Sequence, residues 1–371
     1  MRPRLNDLTM RPTHTSIVES LAATTPFVGP EALERRVGRA IELRLGANES
    51  PFGASPLAVA AMKEQAATTQ YYGDPEGFLL RQELSRQFGV PMHCIVLGAG
   101  IDELLGLCCR LFLGPGDVVV TTHGSYPTFD YGASGCGATF RRVPYQEEAL
   151  DLQGLADAAH RTGAKVVYVA NPDNPSGSWH PPDAIMALRA ALPSDCMLLL
   201  DEAYFEFAPG VPPIDPTDPQ VIRLRTFSKA HGMAGIRVAY VVAHSYHAQG
   251  LNKTRFHFGV NCVAQAGALA SLADPTHVDR VVELSAIGRN EISRFVAGLG
   301  LRPLPSHTNF VTVDVDSKAR AEAILERLLE RGVFIRKPGA PPLDGCIRIT
   351  IGRSEQRARF AEIFEDVLRE A

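Results

Sequence analysis

At 371 residues, 45% of them hydrophobic and 21% charged, the chain has the balance of a globular protein long enough for one large core and a smaller second one. A net charge of -4 and a pI near 6.3 exclude a global basic field that would draw nucleic acid or an anionic membrane. No uninterrupted apolar run approaches the ~20 residues of a membrane helix.

In chain order, residues 1–45 read as an N-terminal arm. Its arginines and hydroxyls superficially suit a transit peptide, but Asp7, Glu19 and the lack of an apolar stretch argue for an ordered or frayed arm. Residues 46–270 read as a large α/β domain. Its apolar runs at 94–100, 117–125, 165–172, 197–207, 221–229 and 238–244 include stretches such as VVV and MLLL, apolar at consecutive positions, as strands buried on both faces are. Between several of them lie amphipathic helix candidates, at 76–89 and 102–112 for instance, and this alternation predicts a mostly parallel sheet flanked by helices. VIRLRTF and VAYVVAH follow one another without a helix, which predicts an antiparallel pair. From 271 to 371 a smaller α+β domain is expected: a long helix at 276–299, strands at 309–315, 333–337 and 346–352, and helices at 318–332 and from 354. The Pro/Gly-rich segments 209–219 and 337–345 read as loops.

Seven cysteines (94, 108, 109, 136, 196, 262, 346) form no C-x-x-C and mostly sit in apolar contexts, as thiols of a reducing cytosol would, so a cytoplasmic location is expected. His244 and His247 have helical spacing but no third ligand near in sequence, so they read as solvated side chains and no metal is expected.

Chemistry is expected at the carboxyl ends of the strands, where open α/β sheets bind ligands. LGAGIDELL (97–105) is a strand, a glycine turn and a helix opening at Asp102, which suits an anion approaching Gly98 and Gly100; Glu103, where a dinucleotide fingerprint needs a small residue, argues against a nicotinamide cofactor. Asn174 lies in the rigid turn NPDNPSG, and Asp201 and Tyr204 follow MLLL in DEAYFEF. An acid after four apolar residues is costly without a cationic or hydrogen-bonding partner, although a capping Asp is the plain alternative. TFSKAHGMAGIR (226–237) then brings Thr226, Ser228 and Arg237 around Lys229, one of only six lysines. Each segment alone could be an ordinary turn. Together they offer what pyridoxal phosphate demands: an amine for a Schiff base, a carboxylate for the pyridine nitrogen, donors to the phenolic oxygen, an aromatic face and a phosphate cup.

With LGANESPFG (45–53), YYGDPEGFLLRQEL (71–84), NF (309–310) and CIRITIG (346–352), these segments make the chain resemble the fold-type I pyridoxal-phosphate aminotransferases over essentially its whole length, most nearly the histidinol-phosphate aminotransferase branch. The resemblance implies an aspartate-aminotransferase-like three-layer α/β/α domain with a smaller α+β domain. It implies Lys229 as the Schiff-base lysine, Asp201 against the pyridinium nitrogen, and Asn174 and Tyr204 on the phenolic oxygen. Tyr126 would stack on the ring. The phosphate would be held by backbone at Gly100, Ile101 and Asp102, by Thr226, Ser228 and Arg237, and by Tyr72 from the other subunit of a homodimer. Arg348 would clamp the substrate carboxylate, and Asn48 would lie nearby.

The amino donor is less determined. Phe27 aligns with a tyrosine that helps hold phosphate in the histidinol-phosphate enzymes, whereas Arg336 matches an arginine used at the distal end of the substrate. Three possibilities follow: a histidinol-phosphate aminotransferase of amino-acid biosynthesis, a paralogue acting on aromatic or other amino acids, or a decarboxylase or ligand sensor of the same fold. A sensor would need a DNA-binding module, and the arm shows no helix-turn-helix pattern. By analogy the acceptor is 2-oxoglutarate.

Overall fold

Runs that are apolar at consecutive positions do form the inner strands. The protein, as a computed structural model, is described at residues 12–22 and 27–370. Residues 1–11 and 23–26, and with them much of the expected arm, lie outside the described residues. The strands are β1 (Leu43–Arg44), β2 (Ile95–Gly98), β3 (Val118–Thr122), β4 (Thr139–Val143), β5 (Val166–Ala170), β6 (Met197–Asp201), β7 (Val221–Thr226), β8 (Ala239–Ala243), β9 (Arg302–Pro303), β10 (Phe310–Asp314), β11 (Val333–Phe334) and β12 (Cys346–Thr350). Seven of them form one sheet in the order β2-β8-β7-β6-β5-β3-β4. From β4 to β7 every pairing is parallel, while β8 runs antiparallel to both β7 and β2, as the missing helix between VIRLRTF and VAYVVAH foretells.

Alternate side chains of the inner strands pack on opposite faces of the sheet. Val119, Val166, Leu199 and Leu224 pack on one face with Leu104, Leu105 and Phe129. On the other face Val120, Val167, Leu198 and Leu200 meet Leu155, Ile185 and Leu188. The result is a three-layer α/β/α unit. A second core gathers Val311, Val313, Ile347 and Ile349 of the antiparallel sheet β12-β10-β9 against Ile324, Leu328, Phe360 and Phe364 of its helices. Leu43 and Leu45 belong to this second core, because β1 pairs in parallel with β11.

Several local expectations are corrected. The helix expected to open at Asp102 opens at Ile101, with Gly100 as its N-cap. VFIRK is a strand only at Val333–Phe334 and pairs with β1; beyond that a single bridge joins Arg336 to Arg348. β4 escapes the sequence because it is an edge strand with three of five residues charged or polar, two of them exposed, a common defence against edge-to-edge pairing. His244 and His247 are not simply solvated. His244 Nδ1 accepts from the Tyr246 N–H (3.3 Å), while His247 bonds the Pro219 carbonyl (2.7 Å) and packs edge-on against Phe112.

Behind the strand ends lies a buried ionic cluster. Glu202 accepts from Arg223 Nε (3.0 Å) and Arg225 Nε (2.8 Å), and Arg225 is sandwiched between Phe88 and Phe205. Removing the shared carboxylate would leave two buried guanidinium groups without their counter-ion. Glu202→Ala is therefore expected to lower stability by about 3 kcal/mol, read as a shift of the urea midpoint at unchanged slope.

Candidate active site

The ends of β2, β3, β5, β6 and β7 open on one cavity of about 710 Å³. Asp201, the last residue of β6, is buried at its floor and lines it. One carboxylate oxygen accepts from the Tyr168 hydroxyl (2.8 Å) and the other from the Ala203 N–H (3.0 Å). Among the described residues no cation pairs with it, and burial pushes its carboxyl up to about 6. Tyr168 is a site residue that sequence reasoning missed, since a lone tyrosine inside VVYVA reads as core.

Lys229 follows β7. Its Nζ donates to the Asn48 carbonyl (3.2 Å) and lies 5.6 Å from the Tyr204 ring centroid. Burial, with Arg348 nearby, pushes the amine down to about 8. The Tyr204 hydroxyl accepts from Asn48 Nδ2 (2.8 Å), and Asn48 itself is fixed by Thr350 and Asn309. Asn48 thus touches both the lysine and the phenol, which the sequence could only place near the site.

Thr226, Ser228 and Arg237 line the same cavity as Ile101 and Asp102 of the helix Ile101–Phe112, and Arg237 pairs with Asp102 (3.1 Å). Thr226 and Ser228 hydroxyls are 2.9 Å apart. Gly100 (φ +91°) does not line the cavity wall, but a Cβ there would collide with Arg237 Nη2, so only glycine allows the guanidinium to close over the turn. Arg237 itself is held at φ +61°, unusual for a residue with a side chain. Tyr126 lines the cavity and donates to Asp102 Oδ1 (2.8 Å).

On the side of the second core, Arg348 Nη1 donates to Asn174 Oδ1 and Nη2 to the Gly46 carbonyl (3.2 Å), and its Nε has no partner among the described residues. Burial lowers this guanidinium to about 10. Arg336 is tied by Nη2 to the Val28 carbonyl (3.1 Å), with its guanidinium 5.0 Å from the Phe27 ring centroid. Phe27 in turn lies 6.0 Å from Tyr126, so the arm residue caps the same cavity. Tyr72 is the exception: it is 83% exposed, stacks on Phe258 and lines no part of this chain's cavity. The wall also holds His123, Lys337 and an Arg142–Asp130 ion pair (2.9 Å), none of them anticipated.

The chemistry of the floor is specific. A buried carboxylate without a cation suits a protonated ring nitrogen, an amine of lowered basicity suits imine formation, and clustered hydroxyls, N–H groups and an arginine suit a phosphate. Pyridoxal phosphate fits these residues.

Comparison with known proteins agrees. The family model for class I and II aminotransferases matches residues 40–364. The histidinol-phosphate aminotransferase 1 of Nitrosococcus oceani is 35% identical, with 95% of this chain and 96% of that protein covered. The histidinol-phosphate aminotransferase of Roseiflexus castenholzii is 38% identical over 94% of this chain and 96% of its own length. A crystal structure of the Sinorhizobium meliloti histidinol-phosphate aminotransferase in complex with pyridoxal-5'-phosphate superposes with a TM-score of 0.94 at 44% identity, covering 98% of this chain and 99% of that one.

Proposed function

The chain belongs to the class I and II aminotransferase family and is an aminotransferase, and from that premise we propose that it binds pyridoxal phosphate and takes its amino group from histidinol phosphate, with 2-oxoglutarate as acceptor. One observation carries the cofactor assignment: a cation-free buried Asp201 and a weakly basic Lys229 face one cavity from adjacent strand ends. When bound, pyridoxal phosphate supplies a carbonyl for amine exchange and an electron sink for the pair left at the substrate Cα.

Lys229 would hold the cofactor and move the proton at the substrate Cα. Asp201 would keep the ring nitrogen protonated. Asn174 and Tyr204 would donate to the phenolic oxygen, and Tyr126 would supply the aromatic face. Thr226, Ser228, Arg237 and the N–H groups of Gly100, Ile101 and Asp102 would hold the phosphate. Arg348, whose Nε is unpartnered among the described residues, takes the substrate carboxylate of the 2-oxo acid and its amino product, and Arg336 meets the far end of the donor. Residues 46–270 then form the cofactor domain, and 271–371 the smaller domain that delivers Arg336 and Arg348. A two-fold dimer lends Tyr72 to the neighbouring phosphate cup, for which its 83% exposure leaves it accessible in a single chain. No helix among the described residues is long and apolar enough to cross a membrane; a cytoplasmic location is part of the proposal.

The donor assignment rests on relatives 35–44% identical over nearly the whole chain, named for histidinol phosphate. Phe27, beside Tyr126 and Arg336, favours a second reading in which the donor is an aromatic amino acid. Single-turnover conversion of the bound cofactor, followed by absorbance with one donor at a time, separates the two. Histidinol phosphate is expected to react about tenfold or more faster than phenylalanine or tyrosine. The reverse order would move the assignment to the aromatic paralogue, and carbon dioxide without a keto product would move it to a decarboxylase.

A further inference from the structure

At the start of the helix Ile101–Phe112 one carboxylate serves two partners. Asp102 Oδ2 lies 3.1 Å from Arg237 Nη2, and Oδ1 accepts from the Tyr126 hydroxyl at 2.8 Å. The guanidinium is fixed over the glycine turn: Nη1 donates to the Ala234 carbonyl (3.1 Å), and Gly100 leaves room that no other residue would. Thr226 and Ser228 hydroxyls meanwhile bond one another. The charged donor of the phosphate cup, Arg237, is therefore already engaged within the chain, with Asp102 providing the negative charge.

A carboxylate in the first turn is favoured by the helix dipole, but so is a phosphate, and the two compete for the same guanidinium. Glu103, the other acid of that turn, takes no part; it accepts from the Ala99 N–H and lines no part of the cavity. Arg237 and Asp102 are 42% and 45% exposed, so partner exchange needs no unfolding, and the ion pair is weak enough to be given up. Asp102 also bears on the rest of the site. Its charge favours the protonated form of Lys229 and opposes ionisation of Asp201.

We propose that Asp102 is the resident counter-ion of the phosphate cup: it holds Arg237 over Gly100 until the cofactor arrives, then yields it to the phosphate while keeping Tyr126 oriented toward the ring. Asp102 is a positioning residue, and its charge tunes cofactor affinity downward. This inference rests on the pyridoxal-phosphate reading.

The test is a double-mutant cycle on cofactor-free protein. Wild type, Asp102→Asn, Arg237→Gln and the double variant are titrated by equilibrium dialysis with pyridoxal phosphate, and in parallel with pyridoxal, which lacks the phosphate. The asparagine keeps an oxygen for the Tyr126 hydroxyl and removes only the charge. Asp102→Asn is expected to bind pyridoxal phosphate about five- to tenfold tighter, with a smaller gain for pyridoxal through Lys229 and Asp201, and the excess gain for the phosphate form should shrink below about twofold without Arg237. Equal or weaker affinity in the folded variant overturns the proposal, as does a gain undiminished in the Arg237→Gln background. Thermal melting of each protein reports folding, and Asp102→Ser carries the same cycle should the asparagine variant unfold. A wild type that binds neither ligand overturns the cofactor reading and this inference with it.

Discussion

Lys229→Ala is expected to lower single-turnover amino transfer by about 10⁵-fold, because in the proposed mechanism one amine both anchors the cofactor and moves the proton at Cα. The only other lysine on the cavity wall is Lys337, whose Nζ sits 3.3 Å from Glu322. Lys229 has no carboxylate partner among the described residues, and burial has lowered it to about 8. Borohydride reduction followed by peptide mass analysis should fix the cofactor to the peptide holding Lys229 in wild type and to no peptide in the variant. Covalent capture on Lys337 in the variant, with turnover retained, would contradict the assignment. The sign of the pH dependence follows from the same shift. Imine formation needs the neutral amine, so cofactor loading should accelerate as pH rises toward about 8 and level off above it. For stability the effect is also positive with pH: between about 8 and the ordinary lysine value of ~10.4 the unfolded chain binds more protons, so folding is favoured as pH rises.

What could be read in the sequence was whatever a strand end announces by itself. MLLL terminating in Asp201, and VIRLRT running into Ser228 and Lys229, put the carboxylate and the amine at the carboxyl edge of a buried sheet before any contact is known. Two strand-end acids could not be told apart in this way. Asp201 faces the cavity, while its neighbour Glu202 turns to the opposite side and neutralises Arg223 and Arg225. That choice follows from the alternation of side chains along a strand and from which layer covers each face. Tyr168 was invisible because its role needs the register of β5 on β6, in which Ala170 pairs with Asp201 and the tyrosine lies two residues back. The links from Asn48 to Thr350 and from Arg348 to Asn174 span 302 and 174 positions, and no local pattern encodes them. β1 and β9, at two residues each, are too short for any periodicity. Arg142 reached the cavity on an edge strand whose exposed polar residues hid it.

Asp201→Asn should remain folded and lower proton removal at the substrate Cα by about 10³-fold, or ~4 kcal/mol, the scale of losing one preorganised electrostatic partner. The amide can still occupy the space between the Tyr168 hydroxyl and the Ala203 N–H, so what is lost is chiefly the charge. Near-normal half-transamination by this variant would remove Asp201 from its assigned role. The same carboxyl leaves a mark on stability. Burial raises it to about 6 in the cofactor-free chain, whereas the unfolded chain has the ordinary value of ~3.9. Between those values the folded state holds a proton that the unfolded state has lost, so this group makes stability fall as pH rises, by ~3 kcal/mol across the window. Asp173 and Glu206 are also raised by burial, so the total slope is not a clean measure of Asp201. The difference between wild type and Asp201→Asn is. Cofactor-free wild type should lose stability relative to the variant from pH 4 to pH 6. Bound pyridoxal phosphate should abolish or reverse that loss, since a pyridinium beside Asp201 favours the carboxylate. Parallel urea midpoints for the two cofactor-free proteins over that range would mean that Asp201 is not the strained acid that the cofactor relieves.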